Sequence, residues 1–306
     1  MRVEFKAFAV IAIFFCCMFL WLQQGEPFSF LVEVKESEKQ EAAVKMVSLT
    51  RGDQTIEIEL ETYLKGVVGS EMSPSSELEA LKAQAVAART FVASRDYKVD
   101  DTTASQVYMD DTQLQAVWKE DYTRSKEQIE RAVEETKGEI MVYEGEPITA
   151  FFFASSAGKT ANSEEYYTQE LPYLRSVESP WDEEVDTDYI STYQCTKEEL
   201  RTALGIGEAI SSIGEPLCYE SGYVRSIDIN KQSYSGRAIR EALGLRSSCF
   251  DLSVQGDELS FTIYGSGHGV GMSQEGAQGM ALEGKGYEEI LKHYYCGIQL
   301  ENVYKS

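Results

Sequence analysis

Residues 63–89 read YLKGVVGSEMSPSSELEALKAQAVAAR, and the reading of this stretch decides the rest. Glu71 sits among small residues just ahead of an alanine-rich run. Ser76 and Glu79 have the spacing of a capping box, which predicts a helix over 77–95. Leu78, Leu81, Ala85, Ala88 and Val92 recur at helical spacing and predict its buried stripe, with alanines that let a neighbour approach closely. Lys82 and Arg89 stand seven residues, or about two turns, apart, so both project from nearly the same face. A carboxylate beside a basic groove suits acid/base chemistry on an anionic or sugar polymer. The competing reading is an ordinary solvated surface helix.

Outward from this stretch, Ile56, Ile58 and Leu60 alternate and predict a strand over 55–60 after a Gly52-Asp53 turn. A helix is expected over 125–136 with Ile129, Ala132 and Val133 inward. Residues 139–143 and 147–153 flank Glu144-Gly145-Glu146 as a hairpin. Helices fit 197–204, 235–243 and 287–294, and strands fit 223–229 and 258–264. The mixture predicts an α+β fold of helices and antiparallel strands in a single region.

The formal net charge of −23 over 306 residues argues against nucleic acid, which requires a basic footprint. It also means that any anionic polymer must be held by a local basic groove. Residues 7–22, AFAVIAIFFCCMFLWL, carry no charge and follow Arg2 and Lys6. They read as a membrane anchor with the N-terminus in the cytoplasm, against the rival reading of a cleaved signal peptide. The expected organisation is a cytoplasmic tail (1–6), a transmembrane helix (7–22), a stalk (23–45) and an extracytoplasmic catalytic region (46–306). Cys195, Cys218, Cys249 and Cys296 allow three pairings in a compartment that permits disulfides.

Several motifs fail on inspection. Ala157-Gly158-Lys159-Thr160 lacks the upstream glycine of a phosphate loop, because Phe153 occupies that place. The glycines at 265, 267, 269 and 271 do not make a dinucleotide fingerprint, and Glu275 spoils a nucleophile elbow at Ser273. A Ser273–His268 hydrolase is therefore disfavoured. The glycine run is expected to form a tight turn against the active-site helix.

The 63–89 stretch resembles the signature of the stage II sporulation protein D family, the SpoIID/LytB group. So do QVY (106–108), SSAGKTANSEE (155–165), LPYLRSVESPWD (171–182), GRAIREALGLRSSCF (236–250), GSGHGVGMSQEGAQGMA (265–281) and ILKHYYCG (290–297), in family order. The resemblance implies a lytic transglycosylase acting on peptidoglycan glycan strands already stripped of stem peptides, during engulfment of the forespore. The alternative it leaves open is a non-catalytic amidase enhancer that binds cell-wall glycan. It implies Glu71 as the catalytic acid/base, held protonated in a partly apolar cleft whose wall Val67, Val68 and Met72 are expected to supply. Lys82 and Arg89 are implied as substrate-binding, and Tyr173, Arg175 and Tyr294 align with family blocks in the same role. No cofactor is expected. Some relatives bind zinc around the SSAGKT block, but residues 150–165 here contain neither His nor Cys, so no metal site is expected there, with packing of Phe151–Phe153 in its place. The implied partners are stage II sporulation protein P, an amidase, and stage II sporulation protein M. The implied location is the mother-cell membrane, with the C-terminal domain facing the space around the forespore.

Overall fold

The computed structural model describes residues 44–102 and 105–305, so the expected tail, anchor and most of the stalk lie outside the described residues. Among those described, no helix is long and apolar enough to cross a membrane. The described residues form one compact unit. Its helices in chain order are α1 (Leu60–Glu71), α2 (Leu78–Ala93), α3 (Asp111–Trp118), α4 (Tyr122–Glu135), α5 (Ser163–Tyr166), α6 (Trp181–Val185), α7 (Lys197–Ala203), α8 (Gly236–Leu243), α9 (Gln274–Leu282) and α10 (Tyr287–Tyr294). The α+β class expected from the sequence describes this arrangement.

The centre of the unit is α2. The sequence predicts one buried stripe, but Ala83, Val86, Ala87 and Arg89 are buried as well, so the helix is enclosed all round. Alanine explains this, because a methyl side chain lets neighbours close in from every direction. Those neighbours are α1, α4, α9, α10 and the strand Glu139–Tyr143. The capping box does not form: Glu77 is the N-cap and makes no side-chain cap bond. Instead the Glu77 backbone N–H donates to Gln278 of α9 at 2.7 Å, and Glu79 accepts the Tyr287 N–H of α10 at 2.8 Å. The start of α2 is fixed by tertiary contacts rather than by its own side chains.

The strand Met46–Arg51 pairs antiparallel with Gln54–Glu59 and parallel with Lys98–Asp100. Leu60, expected to end a strand, begins α1. The expected 147–153 arm of the hairpin is cut short. Glu139–Tyr143 pairs with Glu146–Pro147 on one edge and with Gln299–Asn302 on the other. Phe152–Phe153 turns away to pair in parallel with Met272–Ser273. A second core, containing Leu200, Ile227, Ile239 and Phe261, lies beneath the antiparallel sheet of Ile190–Thr196, Glu258–Tyr264 and Phe250–Gln255. Cys195, Cys218, Cys249 and Cys296 are free thiols.

The glycine run threads between these parts. Gly265, Gly267, Gly269 and Gly271 all have φ between +67° and +115°, a region costly for residues with a Cβ. A Cβ at Gly271 would lie 2.0 Å from the Phe151 carbonyl oxygen, and one at Gly269 would lie 2.3 Å from the Tyr223 ring. The run packs against the 151–156 segment and Tyr223, not against α2 as expected. Its consequence is to bring His268 against Phe151 and Phe153.

Candidate active site

Glu71 is the last residue of α1. The helix stops there because Met72 turns extended (φ −129°, ψ 152°) and Pro74, two residues on, disfavours helix at Ser73. The carboxylate is half-buried and held from the side by the 105–108 segment. The Val107 N–H donates to Glu71 Oε1 at 3.2 Å, while Ser70 Oγ donates to the Val107 carbonyl at 2.7 Å. Buried Gln106 fastens this segment to α2 by donating to the Ala88 carbonyl at 3.2 Å, and it accepts from Tyr63 Oη at 3.3 Å. The QVY block is thus the clamp on the carboxylate.

Burial raises the Glu71 carboxyl above its ordinary value of 4.5, against the downward pull of the Val107 N–H and of a side-chain hydrogen bond from Gln274. Desolvation disfavours the charged form, and donors to the carboxylate favour it. A carboxyl that holds its proton more tightly than usual is what a general acid requires.

Glu71 opens into two adjoining depressions. The first is walled by Phe91, Phe151, Phe153, Tyr167, Arg240 and His268. The apolar wall is therefore aromatic and comes from distant segments, and Val67 and Val68 instead point into the core. Met72 borders the second depression, beside Ser73, Gln274 and Glu275. The Phe151 ring stacks on Tyr167 at 4.5 Å, and Tyr166 lies 5.0 Å from Tyr167. The aromatic packing at Phe151 thus extends to Tyr167, which follows α5, and through it to Tyr166. His268 accepts the Val270 N–H on Nδ1 at 3.1 Å, which puts its proton on Nε2. Burial, aided by Arg240 and Arg237, pushes this imidazole down to about 3, so it is neutral.

Gln274 is set by a buried polar cluster. Ser273 caps α9 by accepting the Gly276 N–H at 3.3 Å and donates to Asp182. Asp182 also accepts the Ser156 N–H at 2.7 Å, Ser156 Oγ at 2.9 Å and Ser179 Oγ at 2.5 Å. Burial raises this carboxyl, and its donors oppose the rise. Ser273 is committed to Asp182 and makes no bond with His268, so the Ser–His pair is absent.

The expected substrate-binding residues do not gather at Glu71. Arg89 is fully buried: it pairs with Glu61 at 2.6 Å and donates to the Glu139 and Val133 carbonyls at 3.1 and 3.3 Å. It ties α2 to α1, α4 and the Glu139 strand, which corrects the expectation that it faces a groove. Lys82 bridges Glu79 at 2.9 Å and Glu135 at 3.4 Å and lies over the Tyr287 ring. Tyr294 is buried, its hydroxyl 2.7 Å from Ser179 Oγ in the Asp182 cluster. Tyr173 packs on Tyr143 and accepts the Thr149 N–H at 3.2 Å. Arg175 is spent on Glu164 at 2.5 Å and on the Leu171 and Leu174 carbonyls. None of the five lines either depression around Glu71.

The one cation that lines either depression among the described residues is another, with two further arginines stacked on rings nearby. Arg240 of α8 lines the Glu71 depression. Arg237 stacks on Tyr166 at 4.6 Å, and Arg95 lies 4.1 Å over the Phe91 ring. Sequence reading passed over them, although Arg237 and Arg240 lie within the quoted GRAIREAL block. The available signal was that block's amphipathicity, with Ile239 buried and the arginines flanking it.

A family model described as a stage II sporulation protein matches residues 49–143, which span Glu71 and its clamp. Over 80% of its length the chain is 43% identical to a Bacillus amyloliquefaciens protein named stage II sporulation protein D, 75% of which is covered. It is 42% identical over 82% of its length to the Bacillus subtilis protein of the same name, 77% of which is covered. A Bacillus subtilis protein named amidase enhancer is 30% identical over 78% of this chain, with 40% of that relative covered.

Proposed function

As a chain that belongs to the stage II sporulation protein D family, this protein is, we propose, a lytic transglycosylase that cuts peptidoglycan glycan strands during sporulation. The observation that carries the reading is Glu71: one half-buried carboxyl with raised proton affinity, clamped by the Val107 N–H, in a depression walled by aromatic rings. In the first half of the reaction its proton passes to the glycosidic oxygen as the C1–O bond breaks. In the second half the resulting carboxylate accepts the proton of the same sugar's C6 hydroxyl, whose oxygen bonds to C1. The product ends in a 1,6-anhydro sugar, no water is consumed, and the acid is regenerated. Aromatic faces suit the apolar faces of sugar rings, and Glu71 Oε1 is held at a fixed angle by its clamp.

In this reading the protein follows an amidase, stage II sporulation protein P, which bares the glycan, and is localised with the help of stage II sporulation protein M. Residues 7–22 anchor it in the mother-cell membrane. These assignments rest on the family resemblance and on the uncharged segment.

A second reading has one observation in its favour. Glu275 borders the depression next to Glu71, and burial together with Asp186 and Asp182 raises its carboxyl. Two carboxyls flanking a glycosidic bond would serve a hydrolase. Digestion of stripped glycan strands by the purified protein, followed by mass spectrometry, separates the readings. Lytic cleavage gives 1,6-anhydro ends lighter by one water, and hydrolysis gives reducing ends. An intact glycan, together with stimulation of an added amidase, would instead assign the role that the amidase-enhancer relative's name describes.

A further inference from the structure

The cavity beside Glu71 contains one cation whose charge the fold leaves unanswered. Arg240 is half-buried on α8. The helix is pressed onto the strand Val224–Ile229 at Gly236, where a Cβ would lie 2.2 Å from the Val224 carbonyl oxygen. Arg240 is then fixed by two neutral acceptors: Nη1 donates to Tyr166 Oη at 2.8 Å, and Nε donates to the Arg246 carbonyl at 3.3 Å. Among the described residues no carboxylate lies within ion-pair distance of it, and Nη2 makes no hydrogen bond. Its neighbour Arg237 is paired with Glu241 at 2.7 Å, and Arg89, Lys82 and Arg175 each have carboxylates. Arg240 shares the cavity with Glu71 but makes no ion pair or hydrogen bond with it; its bonds go to Tyr166 and Arg246. A cation in contact with the acid would pull its proton off, so the separation keeps both roles intact.

We infer that the Arg240 guanidinium receives the free carboxylate carried by the glycan, the lactyl group of a muramyl sugar, and so makes a bared strand the preferred ligand. This inference rests on the glycan reading given above. A guanidinium offers paired donors to a carboxylate. A lactyl group still joined to a stem peptide is an amide, neutral and unable to accept in that paired, charge-assisted way. The same contact therefore attracts the stripped strand and gives no such advantage to one that keeps its peptides.

The test measures binding, so that it does not depend on turnover. Full-length protein carrying Glu71→Gln is titrated calorimetrically with a muramyl-containing oligosaccharide bearing free carboxylates. The titration is repeated with the same oligosaccharide whose carboxyls have been converted to amides. The parent should prefer the free acid by at least ~10-fold, the scale of a charge-assisted hydrogen bond. Adding Arg240→Gln should erase that preference while leaving the amide's affinity unchanged. Arg240→Lys, which keeps the charge but not the fork, should retain part of it and guards against a folding defect in the Gln variant. A preference that survives Arg240→Gln, or an equal loss for both ligands, overturns the inference. Failure of the parent to bind either saccharide overturns it together with the glycan reading. Reducing ends from the wild-type protein, with the preference intact, would overturn only the lytic chemistry.

Discussion

Replacing Arg89 separates a residue that holds the fold from one that holds a ligand. Arg89→Met keeps most of the side-chain volume and removes the guanidinium. Two bonds to Glu61 are lost, at 2.6 and 3.2 Å, with those to the Glu139 and Val133 carbonyls. The Glu61 carboxylate stays buried, with Gly138 N–H at 3.2 Å and Tyr304 Oη at 3.3 Å as its remaining donors. Removing one partner of a buried pair costs about 3–5 kcal/mol, because the other charge is left uncompensated. For a unit of this size each kcal/mol moves Tm by roughly 2–4 °C, so a fall of roughly 6–20 °C is expected by circular dichroism. Glu61→Leu combined with Arg89→Met should recover much of that loss, since a packed apolar pair avoids burying a lone charge. Glycan binding, measured well below the new Tm, should be unchanged. An unaltered Tm with weakened glycan binding would refute the reasoning and return Arg89 to the ligand.

Glu71→Gln should lower cleavage by at least ~10²-fold, the contribution of a positioned acid/base, as read by release of anhydro-sugar products. Its stability should also depend on pH differently. Burial raises the folded-state Glu71 carboxyl above 4.5, so below pH 4.5 the residue costs nothing, and the cost of ionising it grows as pH rises through the folded value. The variant lacks that cost, and urea titrations at pH 4 and pH 7 should show its stability gaining on wild type at the higher pH. Gln274→Met removes a donor to the Glu71 carboxylate and should raise its proton affinity further, moving the alkaline limb of the pH–rate profile upward; a downward move would contradict the assignment. Gly276→Ala would set a Cβ 2.0 Å from Tyr294 Oη and 2.4 Å from Ser179 Oγ, an overpacking worth about 1–3 kcal/mol. A lowered Tm and reduced cleavage should accompany it, because the Asp182 cluster positions Gln274.

Local periodicity was legible in the sequence and tertiary pairing was not. The last helix falls at Tyr287–Tyr294 and the strand at Glu258–Tyr264, as expected, and Ile129, Ala132 and Val133 face inward on α4. Those patterns need only nearest neighbours along the chain. Glu71 stands out in the sequence among its small neighbours, but the helix that ends on it does not, because Gly66 and Gly69 have poor helix propensity. They are glycine for another reason: a Cβ at Gly66 would lie 2.3 Å from the Tyr108 ring, and one at Gly69 would lie 2.9 Å from Trp118. Close packing and chain reversal leave the same letter in a sequence. Arg89 and Lys82 share a face on a helical wheel, but that wheel cannot show that the helix is enclosed on all sides. Glu61, the partner that takes Arg89 out of contention, is set by the packing of α1 on α2.

On the proposed reading, the position of Arg240 bears on a conflict between net charge and an anionic glycan. A chain of net charge −23 should repel an anionic strand, and no single helix carries enough cations to reverse that. At physiological ionic strength, exposed charges are largely screened beyond ~8 Å. The acidic residues spread over the surface therefore weaken long-range approach but contribute little inside the cavity. What counts at the point of contact is the charge within a few ångströms. There the fold places Arg240 in the wall. Arg95 and Arg237 are exposed outside that wall, while Arg240 is half-buried and so screened less by salt than an exposed cation. Raising ionic strength should consequently strengthen the approach of an anionic strand by screening the surface, while sparing the contact at Arg240. An affinity that rises, or stays level, with added salt fits this arrangement. A steep fall would place the binding cations on the open surface instead.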